Sequence, residues 1–230
     1  MPIKGDFDEM WSIYPKGFTH DYSVPKFLDD ERIGRLNAKL RHEIGKAVDN
    51  DSFLNLCAVR LSFVMNRNGL KIPETTILKW YRLDSKGNPF KFDVKQGADN
   101  YYYGHGVLEM YHYILEKYGK PELEINGPFA VWKNGIMSDD RNDLISVTIP
   151  KQLIGKKGII IYLVKFWQDA QGHATLWNGE KSVDNNYFEY ADKVMLWEVK
   201  PKVFSNSVRI HNLNDAIRII ARPIPQDSGQ

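Results

Sequence analysis

Between Ser52 and Asn68 the chain places apolar residues on nearly every side of a helical projection, among them Phe53, Leu56, Cys57, Val59, Leu61 and Val64. A helix with no polar face cannot lie on a surface and has to be surrounded by other elements. The rest of the fold must therefore wrap this segment, which Gly69 brings to a stop. Two further helices are readable nearby. Ile33, Leu36, Leu40 and Ile44 recur at helical spacing after Pro25, with Asp29, Asp30 and Glu31 where the helix dipole is positive, which predicts an amphipathic outer helix. Val107, Met110, Tyr111, Ile114 and Leu115 predict another from about Gly106 to Tyr118, closing at Gly119.

The second half has a different period. Ile159 to Phe166 is a β-branched and aromatic run, Gln168 to Gly172 a polar turn, and His173 to Trp177 a second apolar run, which together predict a hairpin. Asn178-Gly179 signals a tight turn, after which Tyr187 to Tyr190 and Val194 to Val199 are expected as strands. Helices first and antiparallel strands later make an α+β fold. Prolines and polar residues in 222–230 predict a loose tail, and no repeat or linker divides the chain, so residues 1–230 are expected to form a single domain.

Charge narrows the partners. Basic residues number 31 against 29 acidic ones, a net charge of +2, so neither nucleic acid nor an anionic membrane is implied. No stretch is long and apolar enough to span a bilayer, and Met1 to Asp8 has no basic segment leading into an apolar one. Synthesis in the cytoplasm without a signal peptide is the expectation.

The chain has one cysteine, which excludes an internal disulfide and a thiolate metal cluster. Cys57 is then either packing or a reagent. As a reagent it needs a helix N-terminus, partial exposure and a histidine in reach. With Asn55 as cap, Cys57 falls in the first turn, where free N–H groups favour a thiolate and can hold an oxyanion; with Asn50 or Ser52 as cap it lies a turn deeper. His173 follows Gly172 and opens a strand, a good position for a base, with His105 its best competitor. His105 and His112 stand seven apart with no third ligand evident, so no metal site is predicted. An orienting partner for the base is available in Asp184, or in Asn178 at the turn.

Taken together, Asn55-Leu56-Cys57-Ala58-Val59-Arg60-Leu61-Ser62, Gly158-Ile159-Ile160-Ile161-Tyr162 and Gly172-His173-Ala174-Thr175-Leu176-Trp177-Asn178-Gly179 resemble family four of the type VI secretion amidase effectors. The resemblance implies a papain-like, NlpC-type cysteine peptidase fold with its helical first half packed on an antiparallel sheet. It implies a catalytic triad of Cys57, His173 and Asp184, with Asn55, Gly172 and Trp177 at the oxyanion or substrate; Trp177 reads equally as a core aromatic, and Arg60, beside the cysteine motif, as a structural ion-pair partner. It further implies hydrolysis of the γ-D-glutamyl to meso-diaminopimelate amide of peptidoglycan stem peptides, without cofactor, by an antibacterial toxin. The partners implied are the stem peptide, type VI secretion apparatus components and a periplasmic immunity protein, with action in a neighbouring cell's periplasm. The segments 71–143 and 197–230 exceed the family core and can remodel the cleft or bind a partner. The alternatives are a papain-like hydrolase of another amide, and a non-enzymatic interaction module with Cys57 and His173 packed apart.

Overall fold

A computed structural model describes residues 3–15, 44, 57–74, 94–135, 137, 141–165 and 171–201. The predicted outer helix, apart from Ile44, lies outside these residues, as do Asn55 and the tail. The core follows from one continuous apolar run. Strand β7 (Gly158–Leu163) pairs antiparallel with β8 (Gly172–Trp177) on one side and with β9 (Lys193–Lys200) on the other. The far side of β9 is shared by β4 (Leu123–Asn126), antiparallel, and by β1 (Ile3–Lys4), parallel. β8 therefore ends one side of this five-stranded sheet.

Alternation along β7 splits its side chains between two clusters. Ile159 and Ile161 enter a core with Ala174, Leu176, Met195 and Trp197, whereas Ile160 and Tyr162 enter another with Trp177, Phe188 and Leu196. A sheet buried on both faces explains why its strands read as unbroken hydrophobic runs. The first face is covered by helices α1 (Phe7–Ile13), α2 (Cys57–Arg67) and α3 (Val107–Tyr118). Helix α2 is buried from Cys57 to Asn66, as its all-round apolar sequence requires. α3 has the predicted bounds, with Gly106 before it and the chain leaving at Gly119, φ +86°. Short hairpins β2 (Val94–Gln96) with β3 (Tyr102–Gly104) and β5 (Ala130–Trp132) with β6 (Leu144–Val147) complete the elements.

The second face is covered partly from the segment 71–143, since Phe129 and Trp132 pack there with Leu153. One expectation is corrected. Tyr187 to Tyr190 is a turn rather than a strand, closed by Tyr190 N–H donating to the Tyr187 carbonyl at 3.2 Å. Its apolar residues read as a strand because they are inserted under the sheet: the Phe188 ring meets Tyr162 edge-on at 5.1 Å, and Tyr190 lies 5.9 Å from Trp132. Among the described residues no helix is long and apolar enough to cross a membrane.

Candidate active site

The site forms around the outer edge of β8. The chain leaves the strand through Asn178, whose side-chain oxygen accepts from the N–H groups of Glu180 and Lys181 at 2.9 and 2.8 Å. After Gly179 it returns antiparallel along that edge, with Ser182 bridged to Trp177 and Val183 N–H donating to Leu176 O at 3.0 Å. This return delivers Asp184 to His173. The side-chain oxygen of Asn178 is taken by its own turn, and the side chain that meets His173 is Asp184.

Both carboxylate oxygens of Asp184 stand 3.1 Å from His173 Nε2. The carboxylate also accepts from Thr175 Oγ1 at 2.8 Å, Asn185 N–H at 2.9 Å and the Tyr14 hydroxyl at 3.2 Å. With Nε2 taken by Asp184, the imidazole is close enough to Cys57 for its hydrogen bonding and charge to act on the thiol. The backbone N–H of Ala174, on the same strand edge, also favours the thiolate. Tyr187 lies against the imidazole with ring centroids 4.4 Å apart. Helix α2 and the distant β8 strand with its return thus bring thiol, imidazole and carboxylate together.

Charge is organised along that chain. Burial opposes the Cys57 thiolate, but the hydrogen bond and charge of His173 and the Ala174 amide outweigh it and lower the thiol below its ordinary 9.0. Burial likewise disfavours the imidazolium, yet the Asp184 charge and hydrogen bond, with Cys57 adding to them, push His173 up to about 10. Asp184 is held below the usual carboxylate range against its own burial by His173, Thr175 and the charge of Arg60. Arg60, one turn beyond Cys57 and buried, therefore acts electrostatically on this carboxylate. The arrangement favours a thiolate–imidazolium pair.

Partial exposure of the thiol is not found: Cys57 is 2% and His173 5% exposed. Gly172 has φ +147°, and a Cβ there would lie 2.1 Å from the Tyr162 carbonyl oxygen, so glycine is what lets the hairpin close and seat His173. Of the two readings of Trp177, cleft wall or core aromatic, the structure has the second. It is fully buried and its indole N–H donates to Leu153 O at 2.9 Å, because its strand position points into the second cluster. Among the described residues no group of metal-ligating side chains assembles.

A family model described as type VI secretion system (T6SS), amidase effector protein 4, matches residues 53–197. The chain belongs to this amidase effector family. No curated relative matches. Among solved structures, the effector–immunity complex Tae4-Tai4 from Salmonella Typhimurium is similar at 25% identity and TM-score 0.55, over 86% of this chain and 99% of that one. The effector–immunity complex from Enterobacter cloacae is similar at 22% identity and TM-score 0.57, over 86% of this chain and all of that one, a likeness of fold. The family match spans Cys57, His173, Thr175 and Asp184 but not Tyr14. Thr175 was legible in principle, since on a strand it shares a face with His173 two residues earlier. No sequence signal points to Tyr14, 170 positions from the carboxylate it meets.

Proposed function

We propose that this amidase effector is a papain-like cysteine peptidase that hydrolyses the γ-D-glutamyl to meso-diaminopimelate amide of peptidoglycan stems, using Cys57, His173 and Asp184. The observation that carries the reading is the buried carboxylate–imidazole–thiol chain, with both Asp184 oxygens 3.1 Å from Nε2. In the reaction, the Cys57 thiolate attacks the amide carbonyl carbon. Collapse of the tetrahedral intermediate breaks the C–N bond as His173 gives its proton to the departing amine, leaving a thioester on Cys57. His173 then takes a proton from water, which attacks the thioester and releases the glutamyl carboxylate and the thiol. Asp184 fixes the imidazole tautomer throughout and stabilises the imidazolium. The oxyanion is assigned to the backbone N–H of Cys57 and a neighbour.

Residues 1–230 act as one domain in this reading. The biological role is that of an antibacterial toxin carried by the type VI apparatus into a neighbour's periplasm, where a periplasmic immunity protein opposes it. Support for that partner is that the similar solved effectors are complexes with immunity proteins.

The 2% exposure of Cys57 favours one rival, a binding module in which the cysteine is only packing. Incubating purified sacculi with wild type and Cys57→Ala, then resolving soluble muropeptides by mass, separates the two. Fragments cut between glutamate and diaminopimelate are expected from wild type alone. Identical profiles from both proteins would favour the module, and cleavage at another amide would move the substrate assignment.

A further inference from the structure

We propose that Tyr14 and Thr175 are positioning residues of the amidase, two hydroxyls that hold the Asp184 carboxylate ionised and turned with both oxygens toward His173. The inference rests on the triad reading above and extends it to a residue outside the matched family region.

Hydroxyl protons decide the argument. Thr175 Oγ1 lies 2.8 Å from Asp184 Oδ1 and 3.3 Å from the Tyr14 oxygen, and it has one proton to give. The shorter contact leads to a charged acceptor, so that proton goes to the carboxylate. Tyr14 stands 3.2 Å from Oδ2 and donates there. Each carboxylate oxygen therefore takes one hydroxyl proton, and the bound carboxylate cannot rotate without breaking one of these bonds. Burial, and then the Asp184 charge, raise the Tyr14 phenol well above its ordinary value, so it remains a donor.

The placement is specific. Tyr14 is 3% exposed at the end of α1, in a stretch that β1 ties to β9 through the Ile3 to Val199 pairing. Thr175 is fully buried on the strand that carries His173. A tyrosine serving only as packing has no need to aim its hydroxyl at a buried carboxylate. A carboxylate this enclosed needs its hydrogen bonds supplied by the protein.

The test is the rate of muropeptide release from sacculi by full-length Tyr14→Phe, Thr175→Val, Thr175→Ser and Asp184→Ala proteins, with the His173 Nε2–H proton resonance recorded for each. Tyr14→Phe and Thr175→Val are each expected to slow release about tenfold, the scale of one hydrogen bond to a charged group, and to shift the resonance. Thr175→Ser keeps the hydroxyl and recovers most of the loss seen in Thr175→Val. Adding Tyr14→Phe to Asp184→Ala is expected to change the rate by less than about twofold, because the group it positions is gone. A full tenfold penalty in that background, or wild-type rate and resonance in Tyr14→Phe, overturns the inference. If Tyr14→Phe does not fold, the contrast between Thr175→Val and Thr175→Ser decides. Wild-type release by Asp184→Ala brings down the triad reading itself, whereas impaired Asp184→Ala beside unimpaired Tyr14→Phe and Thr175→Val sinks only the positioning role.

Discussion

At the scale of residues, the site is a contest between burial and neighbouring charge. Burial acts against every ionised form in it, and each charge survives only because the next group in the chain offsets that penalty. The pH dependence follows with a definite sign. The thiolate–imidazolium pair exists above the lowered pKa of Cys57 and is lost as pH rises through about 10, where His173 gives up its proton. Asp184→Asn removes the charge that holds His173 up, so the alkaline limit of the pair moves to lower pH. NMR titration of the His173 ring protons reads this directly, and an unmoved midpoint would show that Asp184 is not the group raising it. The pairing of thiol and base was legible because the chemistry of a lone cysteine demands a histidine and the motif around His173 carries one. The hydroxyls of Tyr14 and Thr175 were not legible as a set, because their meeting depends on how α1 packs beside the edge of β8.

Among elements, the β7–β8 hairpin does the positioning. Its backbone approach at Gly172 leaves no space for a side chain, and its φ of +147° is one that other residues avoid. Gly172→Ala is expected to cost about 2 to 3 kcal/mol of stability and to displace His173, seen as a lower urea midpoint together with a weakened thiolate signal. Trp177 belongs to the same hairpin but to its other function, packing. Trp177→Phe removes one of the two donors to the Leu153 carbonyl, leaving Lys156 N–H at 3.2 Å, and loses buried indole packing; it is expected to lower stability by about 1–3 kcal/mol, with the activity per folded molecule little changed. A large loss of activity at unaltered stability would return this residue to the substrate cleft. The strands β7 to β9 and helix α3 were readable from period and punctuation. The stretch Tyr187 to Tyr190 was misread because a run of aromatic residues has the composition of a strand, and only the tertiary packing of Phe188 beneath Tyr162 reveals a turn.

Across the whole molecule, the central sheet divides two cores, one with the helices and one with the aromatic cover from Phe129 to Leu153. Because β7 contributes alternate residues to both, neither core can form without the strand that joins them. The one-domain reading therefore expects a single cooperative transition, in which tryptophan fluorescence and the reactivity of the Cys57 thiol change together across a urea titration. Separate transitions would divide the chain. The α+β layering was legible from the order of periods along the sequence, whereas the sharing of β9's far edge between β1 and β4 was not, because strands so short leave no hydrophobic period to read.

The central claim is that Cys57 and His173 operate as a charged pair. With one cysteine in the chain, the ultraviolet absorbance of the thiolate, taken as the difference from Cys57→Ala so that the 12 tyrosines cancel, can be followed against pH with no second thiol contributing. Wild type is expected to show a thiolate that persists below the ordinary thiol value of 9.0, and His173→Ala to lose it. A thiol that titrates at or above 9.0 in wild type and is unmoved by His173→Ala would contradict the account.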